Sequence, residues 1–225
     1  MNDNGSTIPV KGRGHYFNGS ASVSVSNNTY IKFHHSFSMM TWIKVPSIFT
    51  ERQSIVSRSQ AGNQTQDILD FYLISNGTVG RLGLELSNNG SSFFSDTHST
   101  VPTSEWSWLT VVVDDATDND IIFSINDQAK SAVSNGSQFI EENETSELNI
   151  GMKFNPSQSS FVATQYLNAY LYELKVYNVA KDSAQSTAYV LPGTQCNGDC
   201  SFCPTDGECI NTCLLDFYAD GDNCV

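Results

Sequence analysis

Apolar residues return at every second position in one run after another. Leu82, Leu84 and Leu86 alternate with Arg81, Gly83, Glu85 and Ser87. Leu109, Val111 and Val113 alternate with Thr110 and Val112, and Ile121, Phe123 and Ile125 with Ile122, Ser124 and Asn126. That period belongs to a β-strand, whose successive side chains leave opposite faces, so each run buries one face. Gly, Asn, Ser and Asp separate the runs at intervals of roughly 8–12 residues, the rhythm of a sandwich or barrel. The pattern predicts strands at 15–18, 21–26, 37–45, 54–59, 68–75, 81–87, 92–97, 108–114, 121–126, 147–152 and 169–177.

In the last of these, Tyr170, Tyr172, Leu174 and Val176 are expected on one face, and Leu171, Glu173, Lys175 and Tyr177 on the other. Both faces are partly apolar, which predicts a central strand. Asn76-Gly77, Asn89-Gly90 and Asn135-Gly136 are hairpin dipeptides, because both residues tolerate positive φ. Only 180–189 has helical character, and Pro192-Gly193 breaks the chain after it. The fold class is therefore all-β.

Charge narrows the function. The 225 residues carry 24 Asp and Glu against 11 Lys and Arg, a net charge of -13. No basic footprint exists for a phosphate backbone, so nucleic acid is excluded as a partner. No run of about 18 apolar residues exists to insert in a membrane. The acidity is local: 114–147 holds nine acids and one base, and 196–225 holds six acids and no base.

The cysteines are equally local. Cys196, Cys200, Cys203, Cys209, Cys213 and Cys224 fall in the last thirty residues, and none precedes them. So short a segment cannot build a conventional core and needs staples. Three disulfides are one reading and imply an oxidising compartment. A zinc site of Cys200, Cys203, Cys209 and Cys213 is the other, and it leaves Cys196 and Cys224 over. Glycosylation sequons stand at Asn4, Asn18, Asn27, Asn63, Asn76, Asn89, Asn135 and Asn143. Polar, Asn-rich loops also raise that count, but with the cysteines it points to an extracellular or cell-surface location. The first residues are polar and have no apolar signal region, so either a leader has been removed or the chain is a piece of a longer one.

Six stretches then fall in a familiar order. They are Tyr16-Phe17-Asn18-Gly19, Phe37-Ser38-Met39-Met40-Thr41-Trp42-Ile43, Trp106 through Asp114, Ile122 through Asp127, Leu148-Asn149-Ile150-Gly151, and Leu167 through Asn178. In this order and spacing they resemble the concanavalin A-like, laminin G-like domains. The resemblance implies a two-sheet antiparallel jelly-roll sandwich over 14–190, after an N-terminal extension at 1–13. The chain departs from the family pattern where a hairpin that usually ends Asp-Gly reads Asn126-Asp127. Residues 196–225 resemble the cysteine-rich repeats of the epidermal-growth-factor and furin-like kind, implying a small disulfide-rich C-terminal module.

Catalysis finds little support. Glucanases of this fold place paired carboxylates along one strand. The one Glu-rich run, Glu141 to Glu147, has turn composition, and Glu173 sits in the strand before the helical stretch. No Gly-x-Ser-x-Gly elbow occurs. Calcium is the better cofactor candidate. Asp114, Asp115, Asp118 and Asp120 crowd one turn between two strands, and hard oxygen ligands are what calcium takes. An acidic hairpin tip that keeps a sheet edge soluble is the competing reading. For sugar stacking, Trp106, Phe93-Phe94 and Tyr166 are the candidates, although the family resemblance implies that Trp106 packs within the sandwich.

The reading is a non-catalytic recognition or adhesion module that binds glycan or an extracellular protein. A glycoside hydrolase of the same fold, and a structural, self-associating repeat of a surface coat, are the alternatives.

Overall fold

The computed structural model describes residues 2–4, 8–10, 14–25, 33, 36–47, 49–59, 67–75, 77, 80–88, 91–96, 100–114, 120–126, 128–134, 147–155, 160–161, 165–181, 219–220 and 223–224. Among these residues two antiparallel seven-stranded sheets form. The first runs in the order β1 (Asn2–Asn4), β4 (Ser22–Val25), β13 (Leu148–Ile150), β6 (Gln53–Ser59), β7 (Asp67–Ser75), β8 (Gly80–Asn88), β9 (Ser91–Asp96). The second runs β12 (Gln128–Ser134), β11 (Asp120–Ile125), β10 (Trp106–Asp114), β5 (Phe37–Lys44), β16 (Asn168–Tyr177), β3 (Gly14–Asn18), β2 (Ile8–Val10). Two further short pairs are β14 (Phe154–Asn155) with β15 (Ser160–Phe161) and β17 (Ala219–Asp220) with β18 (Asn223–Cys224). No helix of the described residues is long and apolar enough to cross a membrane.

Every run predicted as a strand is one, and the two sheets form the jelly-roll sandwich. The alternation explains the packing. Leu82, Leu84 and Leu86 of β8 and Leu69, Phe71 and Leu73 of β7 point inward. They meet Phe37, Met39 and Ile43 of β5, Leu109, Val111 and Val113 of β10, and Ile121, Phe123 and Ile125 of β11. Burying each such side chain stabilises the fold by about 1.5–3 kcal/mol. β12 was not predicted: its sequence is small and polar, and as an edge strand it pairs on one side only.

β16 corrects one expectation. It is a central strand, but its alternation does not run through. Ala169 and Leu171 face the core, and so do Leu174 and Val176. The register against β5 slips between Tyr172, opposite Trp42, and Lys175, opposite Met40. Glu173 absorbs the extra residue at φ 52°, the left-handed region. A bulge of this kind switches the faces on either side of it, so Tyr170 and Tyr172 do not share a face with Leu174 and Val176.

The motif residues meet at one end of the sandwich. Gly151 has φ 81°, and a Cβ there would overlap the Phe17 ring. Its N–H donates to the Ile55 carbonyl at 2.9 Å, and its own carbonyl accepts from Leu167 N at 2.9 Å. Leu167 in turn accepts from Gly19 N at 2.9 Å. Only glycine supplies both the conformation and the space at position 151. The unusual Asn126 does the work of a turn glycine at φ 52°: its N–H donates to Trp108 O at 2.8 Å, and its Oδ1 accepts from Trp108 N at 2.7 Å.

Candidate functional site

The outer face of the first sheet carries a buried charged cluster. Because Leu69, Phe71 and Leu73 face inward, Asp70 and Tyr72 must face outward, and Gly83 and Glu85 follow the same rule on β8. The register sets Asp70 opposite Glu85 and Tyr72 opposite Gly83. Arg52 Nη2 donates to both Asp70 Oδ2 and Glu85 Oε2, and the Ser54 hydroxyl donates to Asp70 Oδ1. Lys153 Nζ lies 3.0 Å from Glu85 Oε2 and 3.8 Å from Asp70 Oδ2. The guanidinium sits 3.6 Å over the Tyr72 ring, and that ring fills the space a Cβ at Gly83 would need.

Two cations and two anions balance. Asp70 is fully buried and Glu85 is 6% exposed. Burial pushes the Asp70 carboxyl above its ordinary value, against the pull of Arg52, Lys153 and the Ser54 hydroxyl. Burial works against the Arg52 charge as well, yet Asp70 and Glu85 hold it above its ordinary value.

This cluster corrects the sequence reading, which found no carboxylate pair on strands. Paired carboxylates along a single strand are one arrangement, whereas Asp70 and Glu85 pair across two strands. A signal was present: Asp70 interrupts the apolar run Ile68-Leu69-Asp70-Phe71-Tyr72-Leu73. Glu85 alternates with the core-facing Leu84 and Leu86, yet it is buried as well. A hydrolase needs one carboxyl to reach a leaving oxygen and the other to face the sugar or a water. Here both are buried and spent on the same guanidinium.

The outer face of the second sheet is aromatic and holds all three tryptophans. Trp106, Lys44, Tyr170 and Tyr16 stand opposite one another in register on β10, β5, β16 and β3. All four are half-buried. Tyr16 stacks on Tyr170 with ring centroids 4.6 Å apart, and Trp106 meets Tyr170 edge-on at 6.4 Å. The Tyr16 hydroxyl donates to Asn168 Oδ1 at 2.9 Å. The next row holds Trp108, Trp42 and Tyr172; Trp42 is 4% and Trp108 2% exposed, with centroids 5.3 Å apart. Trp106 therefore packs on the outside of the sandwich, not between the sheets as the family resemblance implied. Farther along the same face, Ser38 Oγ donates to Val179 O at 2.9 Å and accepts from Lys181 N at 2.8 Å. The chain leaving β16 thus turns back over this face.

The remaining predicted residues are scattered. Asp114 ends β10 and Asp120 begins β11, opposite each other in register, while Asp115 and Asp118 lie outside the described residues. Among the described residues no group of three or more His, Cys, Asp or Glu is placed to hold a metal. Asn18 is exposed, with its Oδ1 accepting from Ser20 N at 3.1 Å. Asn4 lies in β1, and the other sequons at Asn27, Asn63, Asn76, Asn89, Asn135 and Asn143 fall outside the described residues. So do the cysteines, apart from Cys224 in β18. Tyr166 is half-buried; for Phe93 and Phe94 only the backbone, in β9, is described.

A family model described as the concanavalin A-like lectin/glucanases superfamily matches residues 17–185. A search of curated proteins found no match. Among solved structures, a native heptameric SAP-like pentraxin from Limulus polyphemus superposes with a TM-score of 0.61 at 16% identity, covering 80% of this chain and 82% of that one. Domain 4 of AbnA, an extracellular arabinanase of Geobacillus stearothermophilus solved with arabinotriose, gives 0.55 at 18%, covering 77% and 74%. The NanB sialidase of Streptococcus pneumoniae gives 0.59 at 13%; 80% of this chain is covered but only 28% of NanB.

Proposed function

The chain belongs to the concanavalin A-like lectin/glucanase superfamily, and we propose that it is a non-catalytic glycan-recognition module working outside the cell or at its surface. The observation that carries the reading is the row of half-buried rings Trp106, Tyr170 and Tyr16 on the outer face of the second sheet. Sugar rings present C–H faces that stack on aromatic side chains, and nearby amides fix their hydroxyls. Asn168, bonded to the Tyr16 hydroxyl, supplies such an amide beside the row. Half-buried rings on β10, β16 and β3 lie on the outer face of one sheet, which suits binding better than bond cleavage. The arabinanase domain with its arabinotriose is a relative in fold whose printed ligand is a sugar.

The absence of catalysis is supported by the state of Asp70 and Glu85. Both carboxylates are buried in a charge-balanced cluster with Arg52 and Lys153, on the opposite side of the sandwich from the aromatic row.

A glycan array followed by titration calorimetry tests the reading. The wild type is expected to bind at least one glycan, and Tyr170→Ala to weaken it about tenfold or more, the loss of about 1.4 kcal/mol of stacking. Prolonged incubation with the bound glycan is expected to release no reducing ends. Turnover that Glu85→Gln abolishes would reverse the reading in favour of a hydrolase.

A further inference from the structure

The aromatic row holds one cation, and its setting sets it apart from the other charges. Lys44 is the β5 residue between Trp106 on β10 and Tyr170 on β16, in register with both. Residues directly opposite in an antiparallel sheet project from the same face, so Lys44 shares the outer face with both rings. Strands two apart in a sheet lie roughly 9–10 Å apart. The Trp106 and Tyr170 centroids are only 6.4 Å apart, so the two rings lean towards each other across β5. Lys44 is half-buried, and a lysine in register with large rings packs its stem beside them while its ammonium stays at the water boundary.

That ammonium has no carboxylate partner among the described residues. The contrast with its neighbour on the face is direct, since Lys175 bonds Glu173 at 3.2 Å. On the opposite face of the sandwich, Arg52 and Lys153 are both bound to Asp70 and Glu85. Lys44 instead stands among rings. Beside it, Asn168 uses its Oδ1 to accept from the Tyr16 hydroxyl, which leaves its amide nitrogen as a second donor on the same face.

We propose that this row selects acidic saccharides: the saccharide packs over the half-buried row, and its carboxylate or sulfate group bonds the Lys44 ammonium. The inference rests on the glycan-binding reading above and deepens it, because the rings alone would hold a neutral sugar equally well. An ammonium at the water boundary makes a stronger, charge-assisted hydrogen bond to an anion than to a neutral hydroxyl.

The test is titration calorimetry with three matched probes: lactose, sialyllactose and sulfated lactose. They are run against wild type, Lys44→Gln, Lys44→Arg and Tyr170→Ala. The expected result is about tenfold tighter binding of at least one acidic probe over lactose by the wild type, the worth of one charge-assisted hydrogen bond. Lys44→Gln is expected to abolish that preference while keeping lactose affinity within about twofold, and Lys44→Arg to restore it. Comparing the carboxylated and the sulfated probe identifies which anion the site takes. Wild type that binds lactose as well as both acidic probes, or a preference that survives in Lys44→Gln, overturns the acidic-sugar inference and leaves the glycan reading standing. If no probe binds and the glycan array is blank as well, both fall together.

Discussion

Asp70 and Glu85 stand opposite each other on neighbouring strands, and a single nitrogen, Arg52 Nη2, donates to both carboxylates. The arrangement buries both carboxylates. It also makes the first sheet depend on one guanidinium. Among the described residues, removing Arg52 leaves two buried anions with Lys153 to balance them. Arg52→Met is therefore expected to cost roughly 3–5 kcal/mol, the usual penalty for breaking a buried ion cluster from one side. Urea denaturation measures it, and a loss under about 1 kcal/mol would mean the cluster is solvated.

The same cluster predicts a pH dependence. Burial raises the Asp70 carboxyl above its ordinary 3.8. The folded value exceeds the unfolded one, so the stability linked to Asp70 protonation is full below the ordinary value and is lost as pH rises through the folded value. Asp70→Asn cannot titrate. The stability of wild type relative to Asp70→Asn is expected to rise as the medium goes from about pH 7 to about pH 4. Denaturation midpoints of the two proteins across that range check the sign, and a gap that moves the other way contradicts it.

Gly151 and Gly77 separate two costs of a side chain. Both have positive φ, at 81° and 84°. At Gly77 a Cβ would meet only Thr50 Cγ2, at 3.8 Å, whereas at Gly151 it would overlap the Phe17 ring. Gly77→Ala is expected to cost about 1 kcal/mol from conformation alone. Gly151→Ala adds an overpacked core, roughly a further 1–3 kcal/mol. Thermal unfolding of both variants distinguishes them, and equal losses would show that Phe17 moves aside freely.

Most of the fold was legible because alternation is a local property. β5, β7, β8, β10 and β11 each carry their core face in their own sequence. What escaped depends on partners. The face switch in β16 is set by its register against β5, which Glu173 alters without changing the apolar pattern of the strand. The Asp70–Glu85 pair exists only once β7 and β8 align. The motif tryptophan, Trp106, has the parity of Trp108, and the outward direction of both follows only when Leu109 and Val111 are seen to fill the core.

Calcium at the β10–β11 turn remains a proposal with a direct check. Asp114 and Asp120 are opposite in register, and like charges so placed repel unless solvent or a cation offsets them. Calcium titration of the wild type is expected to give heat that Asp114→Asn abolishes. A wild type without heat removes calcium from the account.

The central claim is that glycan binds the outer aromatic row of the second sheet. The chain has three tryptophans, and each gives one indole N–H signal in a nitrogen–proton correlation spectrum. Trp106 is half-buried in the row, whereas Trp42 and Trp108 are 4% and 2% exposed. Titration with a glycan that the array identifies is expected to shift the Trp106 signal markedly and the other two little, and Trp106→Ala assigns the signal. Saturable binding that leaves the Trp106 signal in place would contradict the account and move the site elsewhere on the sandwich.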